Sequence, residues 1–481
     1  MPRRIPRLLW LAIPLAYVVY LFGLGDTGVL GPDEPRYASI ARAMAQSGDW
    51  VTPRLWGSAW FEKPALLYWM QGAAFRLGIS RDLAPRLPVA LLALGFLAFY
   101  WWVLRREFGS RPAWTATLIL GTSGMWIGYS QVGVTDIPLS VTYSTAMLLA
   151  LPWVARGEAR WLPASSALFG AAVLAKGLVP LPLAVPLLLG RPIREWLRPR
   201  AILPFFLVAG PWYALCYLRN GWPFIHEFFV VHHFSRITSG ALMHVQPKWY
   251  YVPVLIGALL PWTPLVFLPA SGEALRDRRG RFLLAWGLCV VVFFSIAVNK
   301  LPGYILPAMP ALAAWIALRL EDARGSARWL LAACGFLTVA FPIAARLLPV
   351  ALLSGLSRAG RPHFEPVWLA ALAAGVLAFE LDRRGRRLAA VAAIAASVGL
   401  GVLELKTAAA PAIERTVSAR PLWREIAPLG GQVCLGDVKR DWDYGLAYYA
   451  GSPLPRCDAG PKPWEIVPAA RDGADLRPKT P

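Results

Sequence analysis

The chain is built from apolar runs, most of them about as long as a helix that crosses a lipid bilayer. Hydrophobic residues make up 57% of the sequence and charged residues only 16%, a composition too apolar for one water-soluble core. Because a spanning helix needs roughly 17 to 25 residues, the runs predict about thirteen spans. The runs are 8–24, 83–104, 112–129, 136–155, 161–175, 177–190, 202–218, 252–270, 282–298, 304–318, 329–349, 365–380 and 389–405. The sequence therefore predicts an all-α polytopic membrane protein.

Arginine clusters lie in alternate loops between these runs. The clusters are Arg3, Arg4 and Arg7; Arg105, Arg106 and Arg111; Arg156 and Arg160; Arg191, Arg194, Arg198 and Arg200; Arg276, Arg278, Arg279 and Arg281; Arg319, Arg324 and Arg328; and Arg383, Arg384, Arg386 and Arg387. If the spans alternate, every cluster falls on one side, which is the positive-inside bias and places the N-terminus in the cytoplasm. The net charge of +21 at pH 7 thus reflects topology and anionic headgroups rather than nucleic-acid binding.

Two long loops, residues 25–82 and 219–251, are expected on the side opposite the arginine clusters. Within the first loop, residues 34–47 and 64–78 have helical periodicity, with proline near the start and glycine near the end. These two segments are predicted to be amphipathic helices that lie along the membrane interface.

The composition becomes polar after residue 405. We expect residues 1–405 to form the membrane domain and residues 406–481 a small external α/β domain, with a strand near residues 432–436. Cys434 and Cys457 would lie on neighbouring strands, either joined by a disulfide or as two buried thiols. The other three cysteines fall in apolar runs and are predicted to be packing residues: Cys216, Cys289 and Cys334.

Two charged clusters stand in the first long loop, close to where the chain leaves the membrane. Asp33 and Glu34 precede one predicted interfacial helix, and Glu62 and Lys63 precede the other. Acidic residues at these positions could simply cap the helices, and Glu62 with Lys63 could be a surface ion pair. The alternative is chemical: Asp33 as a general base for an acceptor group, and Lys63 as a ligand of a lipid phosphate.

Further charges open or interrupt the apolar runs on the same membrane side. Asp136 begins the fourth span, Lys176 separates the fifth and sixth, and Lys300 with Tyr304 joins the ninth and tenth. A helix cap explains Asp136 equally well, and snorkelling is the alternative for the lysines. The gathering of acids and cations on one face favours a phosphate site.

Four of the five histidines share the second long loop: His226, His232, His233 and His244. Because imidazole and carboxylate suit zinc and related ions, His232 or His233 together with Glu62 is a candidate divalent-metal site, with His244 as a further candidate ligand. The spacing matches no standard zinc motif. No glycine-rich loop for a nucleotide phosphate is present in the sequence, so we expect no nucleotide cofactor.

The sequence GPDEPRYASIARAMAQSGDWVTPRLWGSAWFEKPALLYW at 31–69 resembles the first periplasmic loop of bacterial polyprenyl-phosphate-sugar glycosyltransferases, a family that includes aminoarabinose-lipid A transferases and protein O-mannosyltransferases. The similarity continues, in order, through VTDIPLS at 134–140, AKGLVPL at 175–181, HHFSR at 232–236, HVQPKWYYVP at 244–253 and FFSIAVNKLPGYILPAMPALA at 293–313. This resemblance implies a C-type membrane glycosyltransferase fold and a lipid-linked sugar donor.

The resemblance also implies roles for individual residues. Asp33 matches the catalytic acid, and Asp136 is a second acid of the same cavity. The remaining matches are Glu62 and His233 for a metal ion; Lys63, Arg236 and Tyr304 for the lipid phosphate; and Arg36 and Lys176 for further cavity positions. Trp60 replaces a tyrosine and His232 replaces an acid of the family pattern, which leaves one phosphate contact and the choice of histidine ligand open.

Together these features predict a multi-pass enzyme of the bacterial inner membrane, with its active site on the periplasmic side. It would move a monosaccharide from undecaprenyl phosphate to an envelope acceptor such as lipid A or another lipopolysaccharide component, by a metal-assisted inverting displacement. The alternatives are a protein O-glycosyltransferase, a transporter of lipid-linked sugar and a membrane assembly protein. A transporter predicts charges deep in the spans and an inverted repeat, and neither is visible in the sequence.

Overall fold

The computed structural model describes residues 7–189, 192–234, 245–269, 275–323, 327–460, 462–469 and 472–478. The described part is mostly helical. In chain order, the helices of the first half are α1 (Arg7–Ala16), α2 (Asp33–Ser47), α3 (Leu66–Arg76), α4 (Leu87–Phe108), α5 (Ser110–Gly121), α6 (Gly124–Ser130), α7 (Asp136–Arg156), α8 (Leu162–Lys176), α9 (Pro180–Leu183), α10 (Pro199–Asn220) and α11 (Trp222–Ile225).

The second half contributes ten more α-helices to the described part. They are α12 (Tyr251–Ala258), α13 (Arg278–Ile296), α14 (Met309–Asp322), α15 (Ala327–Leu337), α16 (Ala340–Ser354), α17 (Leu369–Arg383), α18 (Arg387–Glu404), α19 (Ala410–Thr416), α20 (Ala419–Ile426) and α21 (Arg440–Ala450). A π-helix continues α11 over His226–Phe234, a second one joins α18 to α19 over Leu405–Ala409, and a 3₁₀ segment, Pro302–Ala308, precedes α14.

Within the described ranges, seven helical segments are long and apolar enough to cross a membrane. They are Leu87–Phe108, Asp136–Arg156, Pro199–Asn220, Arg278–Ile296, Pro302–Asp322, Ala327–Ser354 and Arg387–Thr416. Shorter or interrupted helices occupy the other predicted runs. In the run 112–129, for example, α5 stops before Thr122 and Ser123, whose hydroxyls donate to the carbonyls of Leu118 and Ile119. Such side-chain bonds compete with the helix, and the chain then restarts as α6.

The first long loop contains two helices, α2 and α3, close to the bounds that the sequence predicts. Gly48 ends α2 in the left-handed region with φ of 74°, a conformation that glycine adopts without strain. Between the helices, β1 (Arg54–Leu55) and β2 (Ser58–Ala59) form an antiparallel hairpin. Trp56 at its turn has φ of 49°, which is unusual for a residue other than glycine.

The C-terminal module, defined here as residues 419–478, combines α20 and α21 with a three-stranded sheet of order β3-β4-β5. The strands are β3 (Val433–Leu435), β4 (Trp464–Pro468) and β5 (Ala474–Pro478); β3 pairs with β4 in parallel, and β4 with β5 in antiparallel. A disulfide joins Cys434 to Cys457, which decides between the two alternatives, although Cys457 begins a 3₁₀ segment, Cys457–Ala459, rather than lying on a strand. Cys216 and Cys334 are buried and Cys289 is half-buried, as expected of packing residues.

Polar bonds fasten the C-terminal module to the first long loop. Arg420 forms an ion pair of 2.7 Å with Asp82. The hydroxyl of Tyr448 donates to the carbonyl of Arg81 at 2.6 Å, and the hydroxyl of Tyr449 donates to Asp82 at 2.6 Å. The module thereby lies directly beside α2 and the residues at its start.

Candidate active site

A cavity of about 730 Å³ opens where the start of α2 meets α6, α7, α8 and α12. Its charged and hydroxyl-bearing lining residues are Asp33, Glu34, Tyr37, Lys63, Tyr129, Thr135, Asp136, Lys176 and Tyr304. Five of these nine are predicted as site residues by the sequence: Asp33, Lys63, Asp136, Lys176 and Tyr304. The structure therefore brings together groups that lie up to about 270 residues apart in the sequence.

Asp33 and Lys63 belong to one wall of the cavity, and a row of alternating charges that begins at Asp33 runs behind this wall. Arg36, one helical turn further along α2, forms an ion pair with the Asp33 carboxylate. Its guanidinium also reaches Glu62 Oε2 at 3.1 Å, and the ammonium of Lys63 reaches Glu62 Oε1 at 3.0 Å. The Asp33 side chain keeps 49% of its surface exposed, whereas the other three retain about a tenth. The Asp33 carboxylate is thus open to a substrate, and the three buried charges behind it hold it in place.

The electrostatics of Arg36 follow from these partners. Burial alone would lower the pKa of Arg36, but the negative charges of Glu62 and Asp33 outweigh it and raise the pKa. Arg36 therefore stays charged in a buried position, where an uncompensated guanidinium would be costly. It links the carboxylates of Asp33 and Glu62.

A second wall pairs Asp136 with Lys176. Because α7 and α8 are joined by a short connection and run antiparallel, the start of α7 and the end of α8 come to one level. The Lys176 ammonium lies 2.8 Å from Asp136 Oδ1 and 4.9 Å from the centre of the Tyr304 ring. The acid complements the N-terminus of one helix and the cation the C-terminus of the other.

Gly303 fits tightly between two groups of this wall. A Cβ atom at Gly303 would lie 2.6 Å from Asp136 Oδ1 and 2.6 Å from the Tyr129 hydroxyl oxygen. Such a distance is far inside van der Waals contact. The Asp136 carboxylate therefore owes its position partly to the absence of a side chain at residue 303.

Not every predicted residue lines the cavity. The Lys300 ammonium donates to the backbone carbonyls of Gln246 and Ala297, so Lys300 closes a turn behind the wall. Arg236 and His244 lie outside the described residues, as do the side chains of His232 and His233. Within the described ranges, no group of three metal-ligating side chains that could hold an ion occurs.

Glu34 does not share the environment of its neighbour Asp33. Its carboxylate is buried and accepts two bonds from Arg86, each of 2.7 Å, one to each oxygen. It also accepts the backbone N–H groups of Leu30 and Gly133 at 2.8 Å. Glu34 is therefore a structural acid that ties the first loop to two other segments.

The sequence interpretation missed Tyr129 and an aromatic set around Arg36. Tyr129 ends an apolar run beside Ser130 and Gln131, and this polar ending was the available signal. The Arg36 guanidinium carbon lies 5.6 Å from the centre of the Trp60 ring and 5.8 Å from that of Tyr444. Tyr444 belongs to the C-terminal module, and no sequence pattern connects it to Arg36.

Comparison with known proteins identifies the family. Residues 62–212 match the family model described as dolichyl-phosphate-mannose-protein mannosyltransferase. The undecaprenyl phosphate-alpha-4-amino-4-deoxy-L-arabinose arabinosyl transferase of Edwardsiella ictaluri is 31% identical over 77% of this chain and 70% of its own length. The protein of the same name from Serratia proteamaculans is 35% identical over 63% of this chain and 58% of its own length.

The fold agrees with these matches. The crystal structure of ArnT from Cupriavidus metallidurans bound to undecaprenyl phosphate superposes with a TM-score of 0.72 and 28% sequence identity, covering 93% of this chain and 85% of that one. The expected C-type glycosyltransferase fold is thereby confirmed. On this identity and coverage, the chain belongs to the polyprenyl-phosphate-sugar glycosyltransferases, the family of membrane enzymes that includes the aminoarabinose transferases.

Proposed function

We propose that this enzyme transfers 4-amino-4-deoxy-L-arabinose, or a closely similar monosaccharide, from undecaprenyl phosphate to an envelope glycolipid such as lipid A. The names of its relatives and the lipid bound in the ArnT crystal structure support the donor. The observation that carries the proposal is the cavity itself, which combines an exposed carboxylate with lysines on both walls. An acid to accept a proton and cations to receive a phosphate are what this transfer requires.

In the proposed reaction, the acceptor oxygen attacks the anomeric carbon while the bond from that carbon to the phosphate oxygen breaks. The acceptor proton passes to the Asp33 carboxylate, and undecaprenyl phosphate leaves with the bonding electron pair. Lys63 and Lys176 both line the cavity and offset the charge of the leaving phosphate. A single displacement inverts the anomeric carbon, and no second carboxylate is needed as a nucleophile.

The proposed topology places this chemistry in the periplasm. All thirteen predicted runs would cross the inner membrane, the arginine clusters and the N-terminus would face the cytoplasm, and residues 406–481 would be periplasmic. The disulfide between Cys434 and Cys457 supports this orientation, since such bonds persist in oxidising compartments.

A divalent ion, zinc or similar, at Glu62 and His233 is a further proposal, with His232 or His244 as alternative ligands. The described residues do not by themselves fit a metal, because both Glu62 oxygens already face the cations Arg36 and Lys63. The reaction above therefore takes no step through an ion. Elemental analysis of the purified protein and of the Glu62→Gln and His233→Ala variants tests the site. We expect metal in the wild type and less in both variants, and equal content in all three would reject this pair of ligands.

A reconstituted assay tests the function. The purified protein in lipid nanodiscs is incubated with undecaprenyl phosphate-linked 4-amino-4-deoxy-L-arabinose and lipid A, and the lipids are analysed by mass spectrometry. We expect lipid A to gain one sugar residue and undecaprenyl phosphate to be released. Transfer to an added protein but not to lipid A would favour an O-glycosyltransferase, and movement of the donor across the bilayer of sealed liposomes without transfer would favour a transporter.

Substitution of Gly303 tests the second acid. Gly303→Ala is expected to displace Asp136 or Tyr129 and to reduce kcat/KM on the order of 10²-fold, the cost of a misplacement near 1 Å. The control is Gly95→Ala, because a Cβ at Gly95 meets no atom within 4 Å. Wild-type kinetics in the Gly303 variant would show that the position of Asp136 is unimportant for transfer.

A further inference from the structure

The C-terminal module presents one face of α21 to α2. Tyr444 lies over Arg36, with 5.8 Å between the guanidinium carbon and the ring centre, and Tyr448 lies over Arg42 at 4.9 Å. Residues 444 and 448 are one turn apart and therefore on the same face of α21. Because the order of contacts is the same along both helices, α2 and α21 run in the same direction. Their N-terminal ends consequently meet beside Asp33.

Tyr444 is one side of an aromatic enclosure around Arg36. Trp60 covers the guanidinium from a second direction at 5.6 Å, and Tyr37 from a third at 5.3 Å. Trp56, at the turn of the β1-β2 hairpin, packs against Tyr444 with 5.5 Å between ring centres. Three of these aromatic residues belong to the first long loop, and only Tyr444 comes from the module.

The first turn of α21 also lies within electrostatic reach of the proposed base. Asp441 stands three residues before Tyr444 and is exposed overall. The pKa of Asp441 is nevertheless raised, mainly by desolvation of its carboxyl, and the negative charge of Asp33 acts in the same direction. This effect of Asp33 agrees with the helix orientation deduced from the tyrosine contacts.

The position of Asp33 depends on Arg36, since this guanidinium is its ion-pair partner. Arg36 is buried and is held by its ion pair with Glu62 and by the aromatic rings of Trp60 and Tyr444. Removing one ring would let the guanidinium move and would loosen the carboxylate at the cavity. A contact made by the C-terminal module would thus affect the position of the Asp33 carboxylate, which reacts with the acceptor.

We propose that the C-terminal module completes the active site, and that Tyr444 is a positioning residue that holds Arg36 and, through Arg36, the carboxylate of Asp33. This inference rests on the proposed function, in which Asp33 takes the acceptor proton. Tyr444 acts by its ring face, so the hydroxyl group is dispensable.

Two substitutions at this position test the proposal in the reconstituted assay. Tyr444→Leu removes the ring and is expected to reduce kcat about 3- to 30-fold, the range that corresponds to the loss of one buried cation–π contact. The KM for the lipid-linked donor should change little, because Arg36 stands behind the wall of the cavity rather than in it. Tyr444→Phe keeps the ring and should retain wild-type kcat.

A matched control separates positioning from docking of the module. Tyr449→Phe removes the hydroxyl that donates to Asp82 and accepts the backbone N–H of Val29 at 3.1 Å, but leaves Arg36 untouched. It should lower the melting temperature with kcat unchanged.

Equal kcat in Tyr444→Leu and wild type would overturn the inference, as would an equal loss of kcat in Tyr444→Phe and Tyr444→Leu. A loss in the Tyr449 variant as large as that in Tyr444→Leu would mean that the module acts only through its docking. Absence of transfer by the wild-type enzyme would instead reject the proposed function. The two failures are therefore distinguishable.

Discussion

Replacement of Asp33 by asparagine is expected to reduce sugar transfer by about 10²- to 10⁴-fold, the usual contribution of a general base, while the protein remains folded. Asparagine has the same shape but cannot accept the acceptor proton. The substitution strands no buried charge, because the buried Arg36 guanidinium keeps its ion pair with Glu62 at 3.1 Å. Initial rates from the reconstituted assay, together with thermal melting of the same preparation, measure both parts of this expectation.

The control for this variant is Asp49→Asn. Asp49 belongs to the same long loop, but its carboxylate pairs with Arg219 at 2.8 Å and does not line the cavity. Transfer by the Asp49 variant should stay close to that of the wild type. Full activity of Asp33→Asn would sink the proposed mechanism, because another group would then have to take the proton.

Much of the site could be predicted because helix ends are visible in a sequence. Asp33, Asp136 and Lys176 each stand where an apolar or amphipathic segment begins or ends, and a long helix fixes the height of its terminal residues in the membrane. Alternation of the spans then puts these ends on one side. The pairing of Asp136 with Lys176 follows from the short connection between α7 and α8, which places the two residues at one level.

Other parts could not be predicted because they depend on packing between distant segments. Among the described residues, long helices are fewer than the apolar runs. One run, for example, is interrupted where the hydroxyls of Thr122 and Ser123 donate to backbone carbonyls. Likewise, Tyr444 reaches Arg36 only because the module docks on the first loop through residues such as Arg420. Neither the interruption of this run nor the contact between Tyr444 and Arg36 produces a periodic pattern in the sequence.

The adjacent acids Asp33 and Glu34 show most clearly that packing between distant segments cannot be predicted from the sequence pattern. Both are acidic residues in the first turn of α2, and the sequence context of each is compatible with a helix cap as well as with a catalytic role. Successive residues of a helix point about 100° apart, so one carboxylate faces the cavity while the other faces Arg86 in the interior. The orientation of α2 against the neighbouring helices decides which carboxylate faces the cavity and which faces Arg86.

Because the Glu34 carboxylate is buried against Arg86, we expect Glu34→Gln to lose stability, whereas Asp33→Asn should lose activity and stay folded. The substitution leaves the Arg86 guanidinium buried without its counter-ion, and breaking a buried pair in this way typically costs about 3–5 kcal/mol. It also weakens the acceptor for the backbone N–H groups of Leu30 and Gly133. We expect a large drop in melting temperature and a low yield of monodisperse protein, which size-exclusion chromatography and thermal melting in detergent can measure.

Glu158→Gln is the matched control, since Glu158 also pairs with an arginine, Arg156, but both side chains are exposed. Solvent screens such a pair, so its loss should leave the melting temperature nearly unchanged. A Glu34→Gln protein that melts like the wild type yet transfers no sugar would assign the chemistry to Glu34 rather than to Asp33. Because Asp33→Asn should give folded, inactive protein and Glu34→Gln poorly folded protein, the two variants together test the orientation of α2 on which the proposed mechanism depends.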